Sequence, residues 1–326
     1  MLNAADEIVA LLRGAEGREV SSRVLCERLG VSRAAVWKQV ETLRAEGYTI
    51  EACTRRGYRL VHAPDRPSAS EVLPRLTTRR IGRELRYLPE TGSTNRDVAA
   101  LAQGGAEEGL VVVADRQREG RGRMTRPWFS PPGVNLYFSL LLRPDVEPGR
   151  ASSLPLVAGL AVAEAVERLA PEAQPRIKWP NDILCGGKKL CGVLCEMQAE
   201  TDRVSHIIPG LGVNVNLTGA MLPEALRDRA TSLKILTGRA FARAEVLAAI
   251  LNAFEPLYDR WCADGLEPLL PDLQRRDALF GREIELTQGG HAVTGRADGV
   301  MPDGALRLVT AQGAVPMYSG EAHIGS

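Results

Sequence analysis

Apolar residues recur at helical spacing in three segments near the start of the chain, residues 6–13, 21–29 and 33–43. Two shorter segments follow, 48–53 and 58–61, in which apolar and polar residues alternate as they do in strands. A serine precedes the second and third helical segments as an N-cap, and a glycine lies in the turn between them. Helix, short turn, helix and hairpin in this order predict a winged helix-turn-helix domain.

The third helical segment would be the recognition helix of such a domain. Ala34 and Ala35 are small enough for close approach to a groove, whereas helical spacing predicts that Trp37 lies in the domain core. Residues 32–59 hold six basic side chains against three acidic ones, a modest surplus for facing phosphate. The alternative is a protein-interaction module, which winged helices also form. The candidate DNA contacts are Ser32, Arg33, Lys38, Arg55 and Arg56, and Ser32 is also an ordinary helix cap.

A cationic stretch at residues 116–126 contains five arginines and one glutamate, although the 326-residue chain has a formal net charge of only +1. The apolar segments 110–114 and 135–142 on either side are typical of strands. A dinucleotide-binding loop needs a helix directly after it, and a Walker loop needs a glycine five residues before its Gly-Lys pair; the sequence has neither. The pattern predicts a loop that closes over an anion, and a solvated hairpin is the alternative.

Other polar and aromatic residues could complete an anion site. Trp128-Phe129 would offer a stacking face for a base beside the cationic loop. Residues 176–183 and 188–196 predict a hairpin with polar groups at one end, although Lys188-Lys189 alone would be a charged tip. Ser93-Thr94-Asn95 precedes a helical stretch, where capping is the default role. Three small hydrogen-bonding side chains would also suit a buried ureido or carboxylate ligand.

The remaining patterns concern domain organisation. Residues 63–68 form a polar, proline-bearing linker, and a helical pattern at 243–261 precedes alternating apolar positions that begin near Asp277 and predict a small β domain. No leader peptide, repeat or long apolar run is recognisable, so a cytoplasmic protein without membrane contact is expected. The six cysteines form no CxxC pair and lack nearby histidines, which predicts reduced structural thiols and no metal site made of protein side chains.

Several ordered motifs resemble those of a known family, the biotin protein ligases. The resemblance extends over roughly residues 81–323, and its closing segment, 320–324, is expected to reach the active site. The winged helix predicted at the start of this chain is similar to the one that some members of the family carry, and those members also repress biotin genes. The motifs are Ser93-Thr94-Asn95, residues 117–123, Trp128-Phe129-Ser130-Pro131, Lys178-Trp179-Pro180-Asn181-Asp182, Lys189-Leu190-Cys191-Gly192 and residues 210–216.

The resemblance implies a two-step reaction with biotin and ATP as substrates and Mg²⁺ as cofactor. Biotin carboxylate attacks the α-phosphorus of ATP to give biotinyl-5′-AMP and pyrophosphate, and a lysine of an acceptor protein then attacks the mixed anhydride. The catalytic candidates are Lys189, Arg121, Arg123 and Asp182. The biotin-binding candidates are Ser93, Thr94, Asn95, Gln117, Gly120, Arg121, Lys189 and Gly192, and the ATP- and adenylate-binding candidates are Arg121, Arg123, Trp128, Lys178, Asn181 and Asn214.

The implied architecture is an α+β multidomain protein. A winged helix-turn-helix domain at 1–62 is followed by a linker and connecting segment at 63–80. The catalytic domain at 81–274 is an α/β domain of the class II synthetase-like, biotin–lipoate ligase type with a mixed sheet, and an SH3-like β-barrel follows at 275–326. The implied partners are the biotin carboxyl carrier protein of acetyl-CoA carboxylase, operator DNA and a second copy in an adenylate-bound homodimer. A ligase whose winged helix does not bind DNA and a lipoate ligase are the alternatives. Met124-Thr125 departs from the glycine or basic residues more usual in the family's loop.

Overall fold

The computed structural model describes residues 4–54, 56–199, 203–288 and 291–324. Its N-terminal domain contains the three expected helices and the expected hairpin, so the prediction of a winged helix-turn-helix is confirmed. The elements of this domain are α1 (Ala4–Gly14), α2 (Ser22–Leu29), α3 (Arg33–Ala45), β1 (Thr49–Cys53) and β2 (Gly57–His62).

Local capping and a small apolar core explain why this domain forms. The Ser21 and Ser32 side chains each accept a backbone N–H at the start of a helix, at 3.2 and 3.3 Å. Arg55, a predicted DNA contact in the hairpin, lies outside the described residues. The nine buried apolar side chains of the core are Ile8, Val9, Leu12, Leu25, Val36, Val40, Leu43, Tyr48 and Ile50.

The prediction that Trp37 is buried in this core is wrong. Its side chain is 58% exposed. The buried face of α3 is formed by Val36, Val40 and Leu43, which follow the spacing of one helical face. Trp37 is one position beyond Val36 and is therefore turned about 100° away from it around the helix axis. Three aliphatic side chains suffice for the contact of α3 with so small a core, and Trp37 remains outside.

The central domain is built on a seven-stranded sheet. The strand order is β3-β4-β5-β9-β8-β7-β6; β3 and β4 are parallel and all other neighbours are antiparallel, which confirms the predicted mixed sheet. The strands are β3 (Leu85–Leu88), β4 (Val111–Ala114), β5 (Leu136–Leu140), β6 (Arg176–Lys178), β7 (Asp182–Cys185), β8 (Lys188–Ala199) and β9 (Val204–Val213).

Helices cover both faces of this sheet. Along β4, Val111 and Val113 belong to the large core on one face and Val112 to a smaller core on the other, as the alternation of side chains along a strand requires. None of the helices in the described part of the chain combines the length and apolarity needed to span a bilayer. The helices are α4 (Ala69–Val72), α5 (Thr94–Gln103), α6 (Pro148–Ala151), α7 (Leu154–Leu169), α8 (Leu233–Thr237), α9 (Arg243–Asp264) and α10 (Leu270–Arg275).

The predicted C-terminal β domain is a five-stranded antiparallel sheet in the order β13-β12-β11-β10-β14. The indole N–H of Trp179, which follows β6, donates to the Gly304 carbonyl at 3.0 Å and so fixes this domain against the central one. The strands are β10 (Glu283–Gln288), β11 (His291–Val300), β12 (Leu306–Thr310), β13 (Gly313–Met317) and β14 (Glu321–Ile324).

A buried arginine joins the interdomain linker to the central domain. Arg243, the first residue of α9, is 1% exposed. Its guanidinium pairs with Asp65 of the linker at 3.1 Å and with Asp115 at 2.6 Å, and it donates to the Asn135 carbonyl at 3.2 Å. A buried charge is tolerated only when it is paired and hydrogen-bonded in this way. Because Asp115 directly precedes the cationic loop, the same residue fixes the linker and the base of that loop.

A second anchor holds the chain just after the linker. The buried carboxylate of Glu255, in the middle of α9, accepts the backbone N–H groups of Arg79, Arg80 and Ile81 at 2.6, 3.0 and 2.8 Å. Burial by itself would raise the pKa of this carboxyl, but the three donors outweigh it and hold the pKa below its ordinary value. The ionised carboxylate therefore stabilises the fold at pH values above the ordinary pKa of a glutamate. This contribution is lost as the pH falls through the lowered pKa of the folded state.

We expect Glu255→Gln to lower the free energy of unfolding by about 1–3 kcal/mol at neutral pH, because a neutral amide accepts these bonds less well and buries a donor without a partner. Urea titrations at a series of pH values measure the effect. The difference from the wild type should shrink as the pH is lowered through the folded-state pKa of Glu255. Glu245→Gln is the control, since Glu245 lies exposed on the same helix; equal stability of the two variants at neutral pH would contradict the anchoring role.

Candidate active site

A cavity of about 600 Å³ opens on the sheet near the turns that join its strands. Strands β8 and β9, the start of α5 and the cationic loop all contribute to its wall. Of the predicted catalytic, biotin-binding and nucleotide-binding residues, Gly120 alone does not line it. The predicted residues that meet there are Ser93, Thr94, Asn95, Gln117, Arg121, Arg123, Trp128, Lys178, Asn181, Asp182, Lys189, Gly192 and Asn214.

The start of α5 presents a serine whose side chain is not used as a cap. Ser93 is buried and makes no capping hydrogen bond, so its hydroxyl is available to a ligand. Thr94 donates from both its backbone N–H and its hydroxyl to Oε1 of Gln117, at 2.9 and 3.1 Å. Asn95 instead bonds within the protein, accepting from Ser139 at 2.6 Å and donating to Glu196 at 2.7 Å. Asn95 therefore orients the wall of the cavity.

The cationic loop is folded back on itself. The backbone N–H of Trp128 donates to the Gly120 carbonyl, and the backbone N–H of Gly122 donates to the Arg126 carbonyl, both at 2.8 Å. Gly120 is buried behind the cavity wall, where a Cβ would come within 2.8 Å of the Ser130 hydroxyl. A side chain at position 120 would therefore crowd Gln117, Ser130 and the Trp128 carbonyl of the same loop.

The five arginines of the loop separate into two groups. Arg116 and Arg118 lie outside the cavity and pair with Glu90 at 3.1 and 3.5 Å. The other three, Arg121, Arg123 and Arg126, line the cavity. Three of the five arginines are therefore placed to face an anion in the cavity, as the sequence predicted for the loop, and two are not.

Arg123 connects the loop to two other parts of the molecule. Its guanidinium donates to Oδ1 of Asn181 at 3.4 Å and to the Gly320 carbonyl at 3.3 Å. The expectation that the closing segment reaches the site is confirmed, because Gly320 and Ala322 line the cavity. Met124, next to Arg123, has the unusual positive φ of 53° and is 66% exposed. The family's more usual glycine would adopt this conformation without strain.

Two paired glycines form the surface on which Trp128 lies. Gly192 of β8 and Gly212 of β9 are cross-strand neighbours. A Cβ at Gly212 would come within 2.4 Å of the Trp128 indole, and one at Gly192 within 3.1 Å of it. A side chain at position 212 would therefore displace the ring, whereas one at position 192 would make a tight contact with it. The Nε1 of Trp128 is buried on the side of the ring that faces Gly212 and has no hydrogen-bond partner among the described residues.

Lys189 lies between an aromatic ring and a carboxylate. Its Nζ is 2.6 Å from Oδ1 of Asp182 and 5.3 Å from the centre of the Trp128 ring. The ion pair and the ring contact both restrict where the ammonium points. The two contacts place a positive charge at the wall of the cavity. Lys188 points elsewhere, donating to the Arg227 carbonyl at 2.9 Å.

Of the three candidate nucleotide contacts at the strand ends, Asn181 and Asn214 are held by hydrogen bonds within the protein. Asn181 donates to the Val193 carbonyl at 2.8 Å, so its Oδ1 faces Arg123. Asn214 accepts from Nδ2 of Asn135 at 3.2 Å. Lys178, the last residue of β6, is half-buried in the cavity wall and precedes the cis peptide bond between Trp179 and Pro180.

Sequence reasoning missed part of this wall. Glu196 lines the cavity and fixes Asn95, and a segment between β9 and α8 covers one side of it. The Lys189 N–H donates to the Arg229 carbonyl at 2.8 Å, a contact between residues 40 positions apart that no local pattern signals. The cavity residues of this segment are Leu217, Leu222, Leu226, Asp228, Arg229 and Ala230.

The cysteines take no part in the chemistry of the cavity. All six are free thiols. Burial raises the pKa of the Cys185 thiol to about 12 and also raises the pKa values of Cys191 and Cys195, so these thiols stay protonated and unreactive. Within the described residues, no group of three or more histidine, cysteine, aspartate or glutamate side chains is placed to hold a metal ion.

Family models match three parts of the chain: a helix-turn-helix domain at residues 5–59, the biotin/lipoate A/B protein ligase family at 87–214 and the biotin protein ligase C-terminal domain at 279–325. The bifunctional ligase/repressor BirA of Bacillus subtilis is 39% identical over 98% of both chains. The chain belongs to the biotin protein ligase family. BirA of Escherichia coli is 30% identical, over 98% of this chain and 97% of its own.

A solved structure gives the same family. The biotin protein ligase of Aquifex aeolicus in complex with biotin and ATP matches with a TM-score of 0.64 and 32% identity. The match covers 74% of this chain and 99% of that one. The biotin ligase family resemblance that the sequence motifs indicated is thereby confirmed, as is the combination of a helix-turn-helix domain with a ligase domain and a small C-terminal β domain.

Proposed function

We propose that this protein activates biotin with ATP and transfers it to a lysine of an acceptor protein, the biotin carboxyl carrier protein of acetyl-CoA carboxylase. The observation that carries the proposal is the convergence of Lys189, Arg121 and Arg123 on one cavity beside Trp128. The Aquifex relative, whose structure contains biotin and ATP, supports the choice of substrates. The relatives named as biotin–[acetyl-CoA-carboxylase] ligases support the choice of acceptor.

In the first step, a carboxylate oxygen of biotin attacks the α-phosphorus, the bond to the bridging oxygen breaks, and pyrophosphate leaves. Negative charge grows on the phosphoryl oxygens and on the leaving group, so fixed cations stabilise the transition state more than the bound substrates. Lys189 meets this requirement because Asp182 holds its ammonium at 2.6 Å. Arg121 and Arg123 would approach the same oxygens from the loop side of the cavity.

In the second step, the amine of the acceptor lysine attacks the acyl carbon of the mixed anhydride and AMP leaves. Water would destroy this anhydride, so the cavity has to stay closed until the acceptor arrives. The bond from Arg123 to the Gly320 carbonyl supports such closure, since it holds the loop against the C-terminal domain. Trp128 would stack on the adenine, with Asn181, Asn214 and Lys178 near the nucleotide.

A Mg²⁺ ion would be held mainly by the nucleotide. The described residues form no cluster of three metal-ligating side chains, and Asp182 is already paired with Lys189. This fits the preference of Mg²⁺ for water and phosphate oxygens over an all-protein cage. When bound with ATP, the ion would neutralise charge on the phosphates. The cations of the protein then act on the oxygens that the ion leaves exposed.

Isotope exchange between pyrophosphate and ATP tests the first step directly. We expect exchange that requires biotin and that lipoate does not support. Exchange with lipoate and not with biotin would instead favour a lipoate ligase. The second step is followed by mass spectrometry of a carrier domain, which should gain one biotin, whereas a carrier domain lacking the acceptor lysine should gain none.

We further propose that the winged helix binds operator DNA of biotin genes, and that the adenylate-bound form does so as a homodimer. The BirA relatives, named as ligase and repressor, support this role over nearly the whole chain. The winged-helix fold and the exposed Arg33 and Lys38 on α3 support it as well. A ligase whose winged helix has another role is the alternative.

Titration of promoter DNA with protein separates these alternatives. We expect binding to tighten when biotin and ATP are added together, and sedimentation to show a dimer under the same conditions. Equal affinity of ligand-free and adenylate-bound protein would contradict adenylate-dependent repression, and absence of binding in both would favour the ligase without a DNA role.

A further inference from the structure

The exposed face of α3 carries a large aromatic side chain that the fold does not use. Trp37 is 58% exposed, the highest value among the large apolar side chains described in the winged-helix domain. The core next to it is complete, since the inner face of α3 is formed by Val36, Val40 and Leu43. Leaving an indole in water forgoes the stability that burial of so large an apolar surface would bring. The ring is therefore available to a partner.

The charges around Trp37 indicate the chemistry of that partner. Arg33 precedes Trp37 by one helical turn and Lys38 follows it directly, and both are exposed. Neither forms an ion pair with any residue that the structure describes. Several other basic side chains of the domain do form such pairs: Arg23, Arg44 and Arg59 each lie within 2.7 Å of a glutamate.

Few acidic or bulky side chains on this face would hinder the approach of DNA. Ala34 is exposed beside Trp37 and is small enough for close approach. Glu41, the one acidic side chain of α3, is neutralised by Arg44 at 2.7 Å. An apolar ring between unpaired cations, on the second helix of a helix-turn-helix, fits the major groove, where phosphates line the edges and thymine methyl groups are the apolar feature of the floor.

We infer that Trp37 reads DNA sequence by packing against the C5-methyl group of a thymine in the major groove, with Arg33 and Lys38 fixing the helix on the flanking phosphates. The inference rests on the proposed DNA-binding function and adds to it a residue that selects sequence. Phosphate contacts position a protein and carry no sequence information, whereas an apolar contact to a methyl group distinguishes thymine from cytosine and from uracil.

Selection from a random duplex pool about three helical turns long identifies the sequences that the wild-type protein prefers in the presence of biotin and ATP. In the best of these duplexes, each thymine is then replaced in turn by deoxyuridine, which pairs identically and lacks only the methyl group. We expect one such replacement in each half-site to weaken binding by the wild type about tenfold. The same replacement should leave the affinity of Trp37→Ala unchanged, because that variant has no indole ring to contact the methyl group.

Three further variants separate this role from a general effect on binding. Trp37→Phe keeps an aromatic ring and should retain part of the sensitivity to the methyl group. Val61→Ala removes another exposed apolar side chain of the domain, at the end of β2, and should behave as the wild type. Lys38→Ala should weaken binding to every duplex equally while the response to deoxyuridine persists.

Three results would overturn the inference. If the wild type selects sequences but deoxyuridine replacement has the same effect on wild type and Trp37→Ala, Trp37 is not the reader and the repressor function stands. If Trp37→Ala alters the dimer seen in sedimentation, the ring contacts a second copy of the chain. If the wild type enriches no sequence, the proposed repressor function fails together with the inference.

Discussion

Replacing Lys189 with alanine should lower biotin-dependent exchange of pyrophosphate into ATP by about 10²- to 10³-fold, the loss seen when one positioned charge-stabilising donor is removed. The physical reason is the position of Nζ, 2.6 Å from Asp182 and 5.3 Å from the Trp128 ring at the cavity wall. No other lysine is held by a carboxylate at this point among the cavity residues that the structure describes. Lys189→Ala also removes the ion-pair partner of the buried Asp182 oxygen, so the thermal midpoint of unfolding has to be measured with the exchange rate to show that the variant is folded in the assay.

Lys188→Ala is the matched control for this prediction. Lys188 is the neighbouring residue on the same strand, yet its ammonium is directed to the Arg227 carbonyl and Asp228, away from Lys189. Its replacement should leave the exchange rate within about twofold of the wild type, as for a surface residue. Normal exchange by Lys189→Ala would exclude Lys189 from the chemistry, and an equal loss in both variants would point to damage of the hairpin.

Adding one methyl group to the floor of the cavity, in Gly212→Ala, should reduce kcat/KM for adenylate formation by about 10²-fold, the effect of misplacing a reacting group by about 1 Å. The new Cβ would lie 2.4 Å from the Trp128 indole, a distance that forces the ring off the sheet. Since Trp128 also contacts Lys189, both the base-stacking surface and the ammonium would move. Steady-state assays at varied biotin and ATP measure the loss.

Gly149→Ala serves as the control for this variant, because a Cβ at Gly149 meets no atom within 4 Å and the residue has no left-handed backbone. Its activity should equal that of the wild type. Near-normal activity of Gly212→Ala would mean that Trp128 can leave the glycine surface without cost, and the proposed role of that surface would be wrong.

Local patterns were sufficient to predict the elements that depend on local physics. The serine caps at positions 21 and 32, the periodic apolar residues of the first three helices and the strands beside the cationic loop all have the predicted positions. These features depend on neighbours within a few residues, so one sequence reveals them. The ordered motifs added the biotin ligase resemblance, which the comparisons confirm.

Features that depend on contacts between distant segments were not predictable in the same way. The cross-strand pair Gly192 and Gly212 becomes meaningful only when β8 and β9 lie side by side beneath Trp128. The buried Arg243 would ordinarily be assigned to the surface, because its partners come from positions 65, 115 and 135. The burial of Trp37 was predicted wrongly for a related reason, since helical spacing shows which residues share a face but not how many the core can hold.

The most direct test of the proposed active site is a crystal structure with a non-hydrolysable analogue of biotinyl-5′-AMP. We expect the linkage between the acyl and phosphoryl groups to lie within hydrogen-bond distance of the Lys189 ammonium, with the adenine stacked on Trp128 and with Arg121 and Arg123 closed over the phosphate. An analogue bound in this cavity with its linkage away from Lys189, or bound elsewhere on the protein, would contradict it.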